Sequence, residues 1–354
     1  MRKFGGILIL ALLACACTQN AKEGDVSSVA ISGAGATFPL PYYNIIFKNF
    51  TKEMGNKLTY GGIGSGGGIR SLKDKTVDFG ATDAFLSEQE MKEMSAAILH
   101  IPTCMGAVVL AYNLTDLPTL NLNGSVISGI FLGDIKVWND PQIAALNPSL
   151  SLPNKTITPV YRSDGSGTTH VFSDYLSKVS PRWAEIMGVG KSLKWPVGIA
   201  AKGNPGVAGT VLQTEGAIGY VGSEYALSLK IANAKVENAS GNYIEANTES
   251  ISAAADIDLP SDMRTSISNS SNEKAYPISC FTWILIYKDQ YYNGRTKAQA
   301  QALTNLMDYI LSEDAQSLAS KVHYSPLSIQ ALQNAKDLLK QVSYNELPIT
   351  SNLQ

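Results

Sequence analysis

Histidine and cysteine are scarce in this chain, three of one and four of the other among 354 residues. His100, His170 and His323 stand at no ligand spacing from one another or from a cysteine, so no metal site is expected. Charge is sparse too. Only 16% of residues are charged and the net charge is -2, which excludes the basic footprint of a nucleic-acid binder and gives no reason to expect a strongly charged partner. Past its first residues the chain has no apolar run long enough for a transmembrane helix, so the remainder is expected to be soluble. Low charge does not imply disorder here, because 45% of residues are hydrophobic and Ser, Asn, Thr and Gly fill the polar positions. A chain of this length exceeds one typical core, and two domains are expected.

The first residues read as a targeting segment. Arg2 and Lys3 precede an apolar run over residues 4–13, and Leu12-Leu13-Ala14-Cys15 resembles the bacterial lipoprotein signal, in which the cysteine becomes the acylated first residue. Cys17 fits that pattern less well, because the position three before it is Ala14 rather than leucine. A plain cleaved secretory signal is the alternative. Residues 18–28 are polar and read as a tether, so 1–28 is set apart from the folded protein. The expected location is outside the cytoplasm, in the periplasm or cell envelope, with a lipid anchor at Cys15. Cys104 and Cys280 remain, both in apolar contexts. An oxidising compartment would permit a disulfide, and two buried free thiols are as easy to defend.

The most informative stretch is Tyr161-Arg162-Ser163-Asp164-Gly165-Ser166-Gly167-Thr168-Thr169-His170. A β-prone run, Ile157-Thr158-Pro159-Val160, precedes it, and the helically spaced Val171, Phe172, Tyr175 and Leu176 follow. The order is strand, tight loop, helix. Ser166, Gly167 and Thr168 therefore fall where first-turn N–H groups point outward, an arrangement that attracts anions. Arg162 adds a planar charged fork suited to an oxyanion, and Asp164 is placed to hold it. An ordinary capped helix after a turn would produce the same string.

Two further loops repeat the arrangement. Val29 to Phe38 runs as a strand into Gly33-Ala34-Gly35-Ala36-Thr37-Phe38-Pro39, then a helical pattern with Tyr43, Ile46, Phe47 and Phe50. Leu58-Thr59-Tyr60 enters the glycine-rich loop 61–68, with a short helix expected from Ile69. A third strand, residues 77–84, carries Asp83 at its end. Gly62, Gly64 and Gly67 match G-x-G-x-x-G, but the motif is weak in isolation and an exported protein would rarely meet NAD. No Gly-Lys-Ser/Thr follows for a P-loop, and neither Ser65 nor Ser166 sits in a nucleophile elbow. No cofactor is expected.

Six segments occur in an informative order: residues 33–39, Gly62-Ile63-Gly64-Ser65-Gly66-Gly67, residues 77–84, Phe131-Leu132-Gly133-Asp134-Ile135-Lys136-Val137-Trp138, residues 162–168, and Gly216-Ala217-Ile218-Gly219-Tyr220-Val221. In that order the chain resembles the PstS-type periplasmic receptors of the high-affinity phosphate ABC transporter, from about Val29 to the region of Leu327. The resemblance implies two Rossmann-like α/β lobes of the type II periplasmic-binding-protein kind, joined by a two-segment hinge and closing on phosphate like a flytrap. It implies the ligands Thr37, Phe38, Ser65 and Asp83 from one lobe and Arg162, Ser166, Gly167 and Thr168 from the other, with Asp164 steadying Arg162. One departure is visible: many relatives have a second serine after the one at Ser65, and this chain has Gly66.

The expected lobes are 29–104 with 278–354, and 105–277, crossed by an extended run over 101–113 and an apolar strand over 276–287. A hairpin is expected around Ala239-Ser240-Gly241-Asn242, and residues 267–274 read as a surface loop. The functional expectation is a monomeric receptor, not an enzyme, that binds inorganic phosphate and delivers it to transporter permease subunits. A sulfate receptor, a secreted phosphatase and a surface adhesin are the rivals. A phosphatase would need a metal set or an activated nucleophile, and neither is apparent.

Overall fold

The structure is a computed structural model and describes residues 29–353 apart from 116 and 118. The signal-like segment, with Cys15 and Cys17, lies outside those residues.

Eight strands organise the fold: β1 (Ala30–Gly35), β2 (Lys57–Gly62), β3 (Phe79–Thr82), β4 (Ile98–Tyr112), β5 (Thr158–Arg162), β6 (Ile199–Ala201), β7 (Ala217–Gly222) and β8 (Ser279–Tyr287). Their spatial order is β2-β1-β3-β8-β4-β7-β5-β6, with the short Ala232–Asn233 strand also on β4. The flanking pairs β1/β2, β1/β3, β5/β7 and β5/β6 are parallel, which requires crossover helices; β1, β3, β5 and β7 are largely buried, and the edge strands β2 and β6 remain partly exposed. Around them α1 (Leu40–Met54), α2 (Ser65–Lys73), α3 (Gly167–Val179) and α4 (Gly203–Gln213) each begin near the C-terminal end of a parallel strand. Ligands of open α/β sheets bind outside those ends.

β4 joins the two lobes. All fifteen of its residues are buried, His100 and Thr103 among them, in keeping with its largely apolar sequence. Through Ala107 it pairs antiparallel with β8, and from Val108 onward with β7. The chain thus passes out along β4 and back along β8. The β4/β8 ladder slips between Thr282 and Trp283, opposite Pro102, which has no N–H to donate. Thr282, at that slip, is one of the residues that shape the site.

The hairpin is present, with Lys235–Glu237 antiparallel to Tyr243–Ile244. Cys104 and Cys280 are buried free thiols on neighbouring strands. Two expectations change. Residues 65–68 are helical rather than loop, because Ser65 is the first residue of α2. Residues 267–274 form a loop, but Ser268 and Ser270 are buried, and Lys178 Nζ donates to the Ser268 hydroxyl at 2.9 Å. Among the described residues no helix is long and apolar enough to cross a membrane.

Candidate functional site

Four helix starts converge between the lobes. α1 begins after Pro39, α2 after Gly64 and α4 after Lys202, and none of these three has a side-chain cap. Their first-turn N–H groups therefore lack the side-chain cap that helix starts usually have, and in α4 Gly203 and Asn204 donate instead to Asp164 and Thr37 across the site. α3 is capped by Ser166, whose Oγ accepts from Thr169 N–H at 3.0 Å.

Every phosphate-site residue expected from the sequence falls in this region, and all but Asp164 are buried. Arg162, at the end of β5, donates from Nε and Nη2 to the two carboxylate oxygens of Asp164 at 2.8 and 2.5 Å. Asp164 Oδ1 also accepts from Gly203 N–H at 3.0 Å. Burial raises the Asp164 pKa, but the Arg162 hydrogen bonds and charge and the Gly203 amide outweigh it and hold the group below its ordinary value. The remaining face of the guanidinium donates from Nη1 to Thr168 Oγ1 at 3.3 Å.

Opposite stand Ser65 and Asp83. Ser65 Oγ accepts from Gly167 N–H at 3.1 Å, across the cleft, and from Asp83 N–H at 3.4 Å. Both lone pairs of the hydroxyl are thereby used, which leaves it a donor. Asp83 Oδ1 accepts from Thr282 Oγ1 at 2.9 Å. Burial pushes the Asp83 carboxyl up to about 7, against the Thr282 hydrogen bond and the Arg162 charge, which both lower it. A Cβ at Gly167 would lie 2.5 Å from Ser65 Oγ and 2.7 Å from Asp83 Oδ2, so this position admits no side chain. Phe38 can offer only its backbone, since its ring is fully buried edge-on to Tyr324.

Gly66 has a positive reason to be there. Its N–H donates to Gly165 O at 2.9 Å, and an added Cβ would sit 3.2 Å from Gly165 Cα. A serine at 66 would press on the facing loop, so glycine here sets how closely the two loops approach. Gly64, at φ +86, has the left-handed backbone that glycine alone adopts easily, and a Cβ there would strike Asp164.

Sequence reasoning missed Asn204, which is fully buried. It stands in the first turn of α4, and its Nδ2 donates to Thr37 Oγ1 and Thr168 Oγ1, both at 3.1 Å. The signal available was Ala201-Lys202-Gly203-Asn204-Pro205, another strand–glycine–helix junction of the same form as the other three. His170 lies on α3 outside this hydrogen-bonded set, its pKa lowered by burial to about 4. His100 is buried and accepts from Leu86 N–H at 3.1 Å. No group of three His, Cys, Asp or Glu side chains could hold a metal ion among the described residues.

A site of N–H and O–H donors around one buried arginine, with one carboxylate of raised pKa, suits an oxyanion that carries a proton. The PBP superfamily domain matches residues 19–314 of the chain. The phosphate-binding protein PstS of Xylella fastidiosa (strain 9a5c) is 42% identical over 309 residues, covering 86% of this chain and 83% of that protein. The chain belongs to the PstS family of phosphate-binding proteins. A second PstS, from Haemophilus influenzae (strain Rd), is 38% identical over 316 residues and is covered over 92% of its length. Among solved structures, a high-affinity periplasmic phosphate-binding protein bound with phosphate superposes with a TM-score of 0.70 at 21% identity, over 87% of this chain and 93% of that one. At that identity the likeness carries the two-lobe fold. Within the PstS frame, the bonds between Arg162, Asp164, Thr168, Ser65 and Asp83 belong to this chain's own structure.

Proposed function

We propose that this PstS-family chain is an extracytoplasmic receptor that closes its lobes on inorganic phosphate, without chemistry, and delivers it to the permease of an ABC transporter. The observation that carries the reading is the facing of two sets. Arg162, Ser166, Gly167 and Thr168 lie on one side, and Thr37, Phe38, Ser65 and Asp83 on the other, with direct bonds from Gly167 N–H to Ser65 Oγ and from Gly66 N–H to Gly165 O. Each hydrogen bond to a charged group contributes about 1.5–3 kcal/mol in such surroundings, so a handful of donors suffices for tight binding. Helix N-termini add partial positive charge without mobile counterions.

The lobes are taken as 29–104 with 278–354, and 105–277. The change of partner along β4 at Ala107 and Val108, and the start of β8 at Ser279, support those limits. Acylation at Cys15 would tether a monomeric receptor to the membrane. Among the described residues no nucleophile paired with a base accompanies the anion donors, which favours binding over phosphatase turnover. Calorimetry against phosphate, sulfate and a phosphate monoester, with monoester hydrolysis followed in parallel, tests the reading. Phosphate alone should bind tightly, with no turnover; hydrolysis, or equal affinity for sulfate, would overturn it.

A further inference from the structure

Asn204 is unusual among the buried polar residues because every hydrogen on its amide is spent on a hydroxyl. Its Oδ1 accepts from Gly222 N–H at 3.0 Å, which fixes the amide orientation, since a flipped group would set N–H against N–H. The two Nδ2 hydrogens then go one each to Thr37 Oγ1 and Thr168 Oγ1. Thr37 Oγ1 accepts a second hydrogen from Asn204 N–H at 3.0 Å, and Thr168 Oγ1 a second from Arg162 Nη1. A hydroxyl oxygen has two lone pairs, so both are filled on each threonine. The only hydrogen-bonding capacity left to either hydroxyl is to donate.

We infer that Asn204 is a positioning residue that locks the hydroxyls of Thr37 and Thr168 as donors toward the bound anion, one from each lobe. The inference rests on the phosphate reading of the site. Without the lock a threonine hydroxyl rotates freely and can turn its lone pairs on a phosphate oxygen, which repels the ligand and costs entropy to correct. With it, the Thr168 hydroxyl is pre-set for an acceptor before the anion arrives and the Thr37 hydroxyl is set as the lobes close, the condition under which buried polar recognition is strong. Asn204 and Thr168 belong to one lobe and Thr37 to the other, so only the Thr37 half of the lock waits for the lobes to meet. Thr37 keeps the Asn204 backbone N–H whatever side chain stands at 204, so loss of the amide acts mainly through Thr168.

Phosphate titration calorimetry on the parent, Asn204→Ala, Thr168→Val and the double variant tests this, with Asn204→Asp as a near-isosteric companion. Asn204→Ala should raise the phosphate Kd about tenfold or more in the parent and less than about threefold in the Thr168→Val background, since a residue that acts through a hydroxyl has nothing to act on once it is gone. An equal penalty in both backgrounds overturns the inference. In Asn204→Asp the ionised carboxylate accepts from the threonines and turns their hydrogens away from the ligand. Its Kd relative to the parent should fall as pH is lowered and the new carboxyl regains a proton; a constant ratio means a merely structural role. A parent that does not bind phosphate sinks the phosphate reading itself, whereas a binding parent with an unaffected Asn204→Ala sinks this inference alone.

Discussion

The carboxylate of Asp164 takes two parallel hydrogen bonds from Arg162 and a third from the Gly203 amide at the start of α4. Arg162 is thus held in one orientation by a partner that also neutralises it in the unliganded protein, while Nη1 stays turned to Thr168. Arg162 is almost wholly inaccessible, so an unpartnered guanidinium there would be costly.

Arg162→Ala is accordingly expected to weaken phosphate binding by roughly 3–5 kcal/mol, the usual consequence of stripping one charged partner from a buried anion, while the circular-dichroism spectrum stays that of the parent. A phosphate Kd within threefold of the parent would place Arg162 outside the site.

Asp164→Asn should behave differently. It leaves the Arg162 charge buried without its counter-charge, so the unliganded variant should unfold at lower temperature than the parent. Phosphate then supplies more of the compensating negative charge, and the rise in Tm on adding saturating phosphate should exceed that of the parent. Equal phosphate-induced shifts in the two proteins would show that Asp164 does not share Arg162 with the ligand.

Lobe closure is tested by hydrogen exchange. Gly66 N–H meets Gly165 O, Tyr225 OH donates to Thr37 O at 2.5 Å, and Lys191 pairs with Glu90 at 2.7 Å, all between the two sides of the cleft. Phosphate should protect amides around both Ser65 and Ser166 and compact the molecule in small-angle scattering. Protection of one loop without the other would mean that the anion is held by a single lobe. The Lys191–Glu90 pair is partly exposed, so Lys191→Met should change the phosphate Kd only about fivefold or less.

Much of the fold is legible in the sequence itself. The strands β1, β4 and β8 are continuous apolar or alternating runs, and strand–loop–helix junctions announce where N–H groups go unpaired. What stayed hidden depends on distance between segments far apart in sequence. Residues 65 to 68 looked like a loop because three of the four are glycine, a poor helix former. Gly68 stands in α2 because an added Cβ would lie 2.5 Å from Ala34 O, a contact no local pattern encodes. Asn204 was invisible for the same reason, since its three side-chain partners lie 167, 36 and 18 residues away. Thr282 escaped too, because only the pairing of β8 with β3, Trp283 against Thr82, sets its mid-strand hydroxyl beside Asp83.

The last prediction concerns Asp83 and selectivity. Among groups that otherwise donate, it is a carboxylate, with Oδ1 taken by Thr282 and its pKa pushed up to about 7 by burial. Monohydrogen phosphate carries a hydrogen that the ionised carboxylate can accept. Sulfate at neutral pH carries none, so it can occupy the site only when Asp83 itself holds the proton. The sign follows: a raised pKa keeps Asp83 protonated below about 7 and ionised above it, so sulfate affinity should be level below that pH and fall about tenfold per unit above it. Asp83→Asn keeps the shape, removes the charge and offers N–H to an unprotonated oxygen. In that variant sulfate should bind more tightly than to the parent at pH 8 and show no such slope, and the phosphate-to-sulfate ratio should narrow, chiefly through sulfate. At pH 8, one unit above that pKa, the parent's sulfate penalty is about tenfold, a change direct calorimetry resolves. If a folded Asp83→Asn protein keeps both the parent's ratio and its slope, Asp83 does not read the ligand's proton, and selectivity rests on the geometry of the hydroxyls and amides alone.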